Sequence, residues 1–378
     1  MSRVQVPTSI FLDGSVTPDD IAAICGLVDD LAAGRHALEA TSEPDAMTAA
    51  RRTLVEHDVW NLLADEANGT EAQRLLLVLA AVERLARTWP ALALSLLQSS
   101  TSASFLDRMG VASTTVQAVG DGRPVALVDT ASRGVDLHWC DVVTESFTAT
   151  VGVRVKGSVL RLDPCGDAVV ILVDSVGSRL AVVSDAATRI ATPRRITGMA
   201  GSATLSLEIA CAEEQVLVVS APTTEVQRLM AIQRVGLAVI ACAVASMAAD
   251  AAAHYIQERV QFNRALVEFA VVRDARDRAD MALGRAVVVV RNSVRQLSDP
   301  AISAASIERT LTSVFEDCLL VADTAVQLHG GYGYLAEYGV ERHLRDLVSL
   351  RAKFDASDVL SRGSGTTAPR TIKEGISR

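Results

Sequence analysis

The chain has 378 residues, 49% of them apolar, 21% charged and 4% aromatic, with a formal net charge of −9. That length suffices for two or three packed domains with substantial cores. The acidic balance argues against a general nucleic-acid binder, which would carry a basic stripe. The opening Met1-Ser2-Arg3-Val4-Gln5-Val6-Pro7 holds no apolar h-region of a secretory signal. The longest apolar run, 235–249, is too short to span a bilayer and reads as a buried helix. Six widely spaced cysteines without a CxxC pair predict reduced thiols rather than a disulfide framework or zinc knuckle. A cytoplasmic protein is expected.

Residues 1–116 show helical periodicity. Thr17-Pro18-Asp19-Asp20 looks like an N-cap, a first-turn proline and two acids set against the helix dipole. Ile21, Ile24, Leu27, Val28 and Leu31 then recur at helical spacing up to Gly34. Helical patterns continue over 54–63, 71–87 and 92–109. Residues 117–222 change character: β-branched runs at 125–128, 148–155, 169–173, 180–183, 203–207 and 216–219 are separated by Gly, Pro, Asp and Ser. Strands with no helices between them predict a central antiparallel β domain. Residues 223–360 return to helices, first a long alanine-rich one over about 224–255, then 270–297 and 301–328. The tail 361–378, with Gly363, Gly365 and Pro369, is expected to be flexible. The fold class is therefore α+β, in the order helical domain, β domain, helical bundle.

Walker loops, nucleophile elbows, HExxH pairs and EF-hand spacing are missing from the sequence. The six histidines have no metal-ligand spacing, so no metal is expected. Gly330-Gly331-Tyr332-Gly333 follows a helix rather than a strand, which excludes a Rossmann reading.

Two segments carry chemical information. One runs Tyr255-Ile-Gln-Glu-Arg259-Val-Gln261-Phe262-Asn263-Arg264-Ala-Leu266, at the end of the alanine-rich helix. The other runs from Ala325 through Gln327-Leu328-His329-Gly330-Gly331-Tyr332-Gly333-Tyr334 to Arg345-Asp346. An arginine and a phenylalanine at a helix end can meet a pyrophosphate and a flat ring. Glycines after a glutamine let backbone approach a cofactor closely. Alone, each segment is better read as an arginine paired to a neighbouring acid and glycines that end a helix.

Together, after a central β domain, the two segments resemble the acyl-CoA dehydrogenase family, most strongly over 230–350. The resemblance implies an N-terminal helical domain, a central antiparallel β domain and a C-terminal four-helix bundle. It also implies FAD as cofactor and the α,β-dehydrogenation of an acyl-CoA thioester. In that chemistry a glutamate takes the α proton, the flavin accepts the β hydride, and electron-transfer flavoprotein is the acceptor. The flavin ring lies on one subunit while its phosphates and adenine are held by the partner subunit. Carried over by position, Arg259, Phe262 and Leu266 match one partner-side motif, and Gln327, Gly330 and Gly331 match the other. Arg234 matches an arginine near the active site. Asn263 stands where glycine is usual, and Ala270 where glutamine is common.

The catalytic side departs further. Eight residues beyond Asp346, where the glutamate should stand, is Phe354, which cannot take a proton. Asp355 is adjacent and is the candidate base of this chain. The alternative base position on the long helix is Gln233. The ring-side loop is degraded to Val128-Asp-Thr-Ala-Ser-Arg-Gly-Val-Asp136, and the family's Trp-x-Thr is only loosely matched by Val159-Leu160-Arg161.

Selective loss of one half-site resembles the non-catalytic subunit of actinobacterial α2β2 acyl-CoA dehydrogenases, which often act on steroid side-chain thioesters. On that reading the chain completes the FAD site of a homologous subunit in a heterotetramer. Two alternatives stand beside it: an active homo-oligomeric dehydrogenase using Asp355, and a flavin-free scaffolding protein with the same fold.

Overall fold

A computed structural model of the protein describes residues 44–356, together with 26–28, 30–31 and 35. Within 44–356 it omits 65, 67–68, 112, 130–134, 144–148, 162–168, 175–178, 184–187, 191–193, 196, 211–215, 300–301 and 303. The N-cap read at Thr17, most of the ring-side loop 128–136 and the tail 361–378 lie outside the described residues.

The N-terminal region holds α1 (Pro44–Glu56), α2 (Glu71–Thr88), α3 (Pro90–Arg108) and α4 (Ser113–Gly120). Thr70 caps α2 by accepting from the Gln73 N–H, while the Gln73 side chain accepts from the Thr70 N–H, satisfying two orphan donors of the first turn. Pro90 opens α3, where a missing N–H costs nothing. The helix expected over 54–63 is the end of α1 followed by turns. Asp58 takes a left-handed conformation (φ +58°), which Asp tolerates better than most residues and which stops the helix.

The β region holds β1 (Val125–Asp129), β2 (Val135–Val143), β3 (Ala149–Arg161), β4 (Val169–Asp174), β5 (Arg179–Val183), β6 (Thr188–Ile190), β7 (Arg194–Arg195), β8 (Ala203–Ala210) and β9 (Val216–Ser220). One sheet runs β1-β4-β5-β9; the other runs β2-β3-β8-β6, with β7 also paired to β8. All these pairings are antiparallel except β1 with β4, which runs parallel, Leu127 opposite Ile171. The long strand β2 escapes the sequence pattern because Asp136, His138 and Asp141 interrupt its apolar residues.

The C-terminal region begins with α5 (Thr223–Glu258), followed by β10 (Val260–Gln261), β11 (Arg264–Ala265), α6 (Ala270–Gln296), α7 (Ala304–His329) and α8 (Val340–Ala356). Every residue of α5 from Arg228 to Ser246 is buried, which is why it is apolar all round. Among the described residues it is the one helix long and apolar enough to cross a membrane, and its most apolar window is mostly buried inside the protein. Gly236 lets α3 approach α5: a Cβ there would sit 2.4 Å from Leu97 Cδ2. Cys242 and Cys318 meet between α5 and α7 as free thiols, Sγ to Sγ 3.9 Å.

One continuous core joins the N-terminal helices to the bundle, and a second lies between α3, α4, β1, β4 and the start of α5. The Asp346 carboxylate ties the three regions together. It is buried, 2.6 Å from Arg35 Nη2, and accepts from the Met199 N–H between β7 and β8. Beside it, Gly198 N–H donates to Ser349 Oγ at 3.1 Å. A side chain at Gly198 would strike the Arg345 carbonyl, its Cβ 2.2 Å away, so α8 can seat only against glycine there.

Candidate functional site

The two sequence segments meet at one end of the bundle. α5 and α7 run side by side and parallel there, from the Cys242–Cys318 contact to Tyr255 stacked on His329 with ring centroids 4.2 Å apart. His329 Nδ1 lies 2.7 Å from the Ala325 carbonyl oxygen, so Nδ1 carries the proton and the ring is fixed. Tyr338 stands edge-on to both rings, and Tyr332 packs on Tyr338 at 5.1 Å. Burial raises the Tyr255 phenol above its ordinary pKa, with Arg259 pulling the other way.

Beyond α5 the chain folds back as a hairpin. Val260 pairs with Ala265 and Gln261 with Arg264, and Leu266 N–H donates to the Arg259 carbonyl at 2.9 Å. The two loop residues, Phe262 (φ +51°) and Asn263 (φ +62°), are both left-handed, as a tight type I′ turn requires. Asn263 stands where the resemblance puts glycine, and it is the residue that best tolerates that conformation after glycine. Phe262 is not. It is held in an unfavourable backbone conformation with its ring 88% exposed. A strained, solvated aromatic at a hairpin tip buries little of its ring among the described residues.

Arg259 joins the two segments. Its guanidinium carbon lies 5.4 Å from the centre of the Tyr332 ring, and Nη2 donates to the Gln261 side-chain oxygen at 2.7 Å once that amide is oriented by its partner. Gln327, Gly330 and Gly331 are exposed on the same end, Gly330 in the left-handed region (φ +59°). A Cβ at Gly330 or Gly331 would meet nothing of this chain, so the backbone there is open to a ligand from outside. A fixed cation, open backbone at two glycines and a solvated aromatic ring suit an anionic, aromatic group such as the pyrophosphate and flat rings of FAD.

The positions where a base is expected lie elsewhere, and they are closed. Phe354 is 1% exposed, its ring 4.6 Å from that of Phe315. The Arg234 guanidinium lies 4.9 Å over the Phe354 ring, with Nη1 3.0 Å from Glu308 Oε1, both side chains buried. Next to it, the Gln233 amide donates to the Thr101 hydroxyl of α3. Asp355 points to different partners: its carboxylate takes Arg351 Nε at 2.8 Å, and Arg351 also donates to the Thr312 carbonyl. Thr312 and Gln327 are fifteen residues apart on α7, so the carbonyl that Arg351 reaches lies about 22 Å along that helix from Gln327.

Sequence reasoning singled out Arg234 but missed its partners. Glu308 had a signal: it falls on the buried stripe Ile307-Leu311-Val314-Phe315-Cys318 of α7, where a carboxylate needs a partner. Among the described residues no cluster of His, Cys, Asp and Glu could hold a metal ion.

The fold is helical at both ends with two β-sheets between, and the two motif segments meet at one end of the bundle. Residues 224–353 match the family described as "Acyl-CoA dehydrogenase, C-terminal domain". A similar curated protein is the 3-(aryl)acrylate reductase of Clostridium sporogenes, 30% identical over 122 residues, 32% of each chain. The sequence match thus spans about a third of that relative's length. Butyryl-CoA dehydrogenase from Megasphaera elsdenii superposes with a TM-score of 0.68 at 18% identity, covering 90% of this chain and 95% of that one. The ChsE4-ChsE5 complex from Mycobacterium tuberculosis also gives 0.68, at 17% identity over 90% and 94%. At such identities the structural likeness is one of fold. Residues 224–353, about a third of the chain, thus match the C-terminal domain of acyl-CoA dehydrogenases, and the chain as a whole has the fold of those enzymes. Members of the family bind FAD.

Proposed function

We propose that this chain is the non-catalytic subunit of a heteromeric acyl-CoA dehydrogenase, completing the FAD site of a homologous partner subunit. The observation that carries the reading is an asymmetry. The Arg259–Phe262 hairpin and the Gly330-Gly331 turn stand open to an outside group, whereas the base position holds Phe354, closed under Arg234. Decay without selection would be expected to blur both.

On this reading Arg259 places a cation beside the cofactor's phosphates, where its planar guanidinium can bond two oxygens at once. Gly330 and Gly331 let backbone approach without a Cβ in the way. Phe262 covers an apolar ring face, recovering the burial that its 88% exposure forgoes in the free chain. Leu266 and Gln327 hold the hairpin and the turn edge of the same surface. When bound, FAD supplies the hydride acceptor for α,β-dehydrogenation of an acyl-CoA thioester. The proton-abstracting glutamate and the acyl-CoA pocket belong to the partner, since neither Phe354 nor the Thr101-bound Gln233 can take a proton. The family resemblance supplies electron-transfer flavoprotein as acceptor and a lipid or steroid side-chain thioester as substrate class, and the free thiols of Cys242 and Cys318 fit a cytoplasmic pair.

The test is the flavin content of the chain purified alone and co-expressed with a homologous dehydrogenase, each with Arg259 intact or replaced by alanine. Flavin in the pair, lost on Arg259→Ala, supports the reading. Stoichiometric flavin in the chain alone overturns it.

A further inference from the structure

The chain has four tyrosines, and all of them, Tyr255, Tyr332, Tyr334 and Tyr338, lie at the bundle end that carries Arg259. Three of them close a circuit of contacts with that arginine. Tyr255 stacks on His329 of α7, and its carbonyl accepts the Arg259 N–H one turn later. Tyr338 stands against both of those rings, and Tyr332 packs on Tyr338. The Arg259 guanidinium lies over the Tyr332 ring and so returns the circuit to the end of α5. The turn that presents Tyr332 is tight, since a Cβ at Gly333 would sit 2.4 Å from the Val326 carbonyl oxygen.

What Arg259 does not touch is as informative. Glu258 is its neighbour in sequence, yet that carboxylate turns to His254 at 3.2 Å. Among the described residues Arg259 forms no ion pair. Its side chain meets neutral groups instead. The Tyr332 ring lies 5.4 Å from Cζ, and the oriented Gln261 amide oxygen accepts from Nη2 at 2.7 Å and from Nε at 3.3 Å. Both contacts fix the direction of the guanidinium and leave its charge uncompensated. Gln261 occupies the Nε–Nη2 edge. The Nη1–Nη2 edge, which can bond two oxygens of an anion at once, has no partner among the described residues.

We propose that Tyr332 and Gln261 are positioning residues for the cofactor, holding Arg259 so that its open edge meets two oxygens of the FAD pyrophosphate. The inference rests on the reading of this bundle end as the completion of a partner's FAD site. A freely rotating arginine loses conformational freedom when it binds; one already held loses less, so affinity rises without a new contact. Tyr332 acts through its ring face and not its hydroxyl. Phenylalanine therefore replaces it, and leucine does not.

A double-mutant cycle on FAD affinity separates positioning from a merely structural role. FAD is titrated into the flavin-stripped complex with a homologous dehydrogenase and followed by flavin fluorescence. Tyr332→Leu and Gln261→Ala are each expected to weaken binding about three- to tenfold, and Tyr332→Phe less than about twofold. With Arg259 already replaced by alanine, neither Tyr332→Leu nor Gln261→Ala is expected to cost anything further. Gln261 is exposed and Tyr332 is 39% exposed, so these variants are expected to fold. An equal loss with and without Arg259, for either variant, overturns the proposal. So does a Tyr332→Phe complex as weak as Tyr332→Leu. Weakening by Arg259→Ala with none by Tyr332→Leu overturns this inference and leaves the functional reading standing. An Arg259→Ala complex that binds FAD as tightly as the wild type overturns both.

Discussion

The guanidinium of Arg234 lies 4.9 Å over the ring of Phe354 and 3.0 Å from the carboxylate of Glu308, deep in the bundle. A buried ion pair of this kind contributes little over an apolar core, but removing one member strands the other charge. Glu308→Ala is therefore expected to destabilise the chain by about 3–5 kcal/mol, read from chemical denaturation. The flavin content of the complex should be unchanged in molecules that remain folded, because the pair lies far from the hairpin.

Asp355 is the one carboxylate next to the missing base, and its geometry argues against that role. Its side chain is half exposed and held by Arg351 at 2.8 Å, one turn back on the same helix. An exposed i,i+4 pair of this kind is worth only about 0.3–0.5 kcal/mol. Asp355→Asn is expected to change kcat/KM of the assembled enzyme by less than about twofold. A collapse of kcat with KM retained would instead make Asp355 the base of an active homo-oligomer.

Phe262 offers a sign-reversing test. Its left-handed backbone costs about 1–2 kcal/mol for a residue with a Cβ, and glycine removes that cost. Phe262→Gly is expected to leave the isolated chain as stable or more stable in thermal unfolding while weakening flavin retention in the complex. A structural role for the ring would move the first measurement the other way.

His343 gives the pH dependence. Burial lowers its pKa from 6.5 to about 3, and Arg35 and Arg342 push in the same direction. The folded state keeps the ring neutral, so between about pH 6.5 and pH 3 the unfolded chain binds the extra proton. Stability from this group is present above that window and lost as pH falls through it. His343→Gln is expected to flatten the acid limb of the stability curve.

Periodicity carried most of the helical framework into view. α2, α3 and α5 to α7 follow apolar spacing, and α5 reads as central because it is apolar on every side. What escaped was set by tertiary partners. β2 is masked by its acids and histidine; α1 ends at Asp58 because of a backbone conformation that no pattern announces. The parallel pairing of β1 with β4 depends on chain crossing rather than on local sequence. At the site, Arg259, Phe262, Leu266, Gln327, Gly330 and Gly331 were legible as types at fixed spacing. The left-handed Phe262 was not, because a phenylalanine does not announce a turn position of that kind, and the stack of Arg259 on Tyr332 was not, because it arises only when α5 and α7 end side by side.

The most direct measurement is the flavin spectrum and stoichiometry of this chain, alone and co-purified with a homologous dehydrogenase. The account predicts a colourless chain alone, one flavin for each pair of unlike chains together, and loss of that flavin when Arg259 becomes alanine. One flavin per chain in the protein purified alone would contradict it.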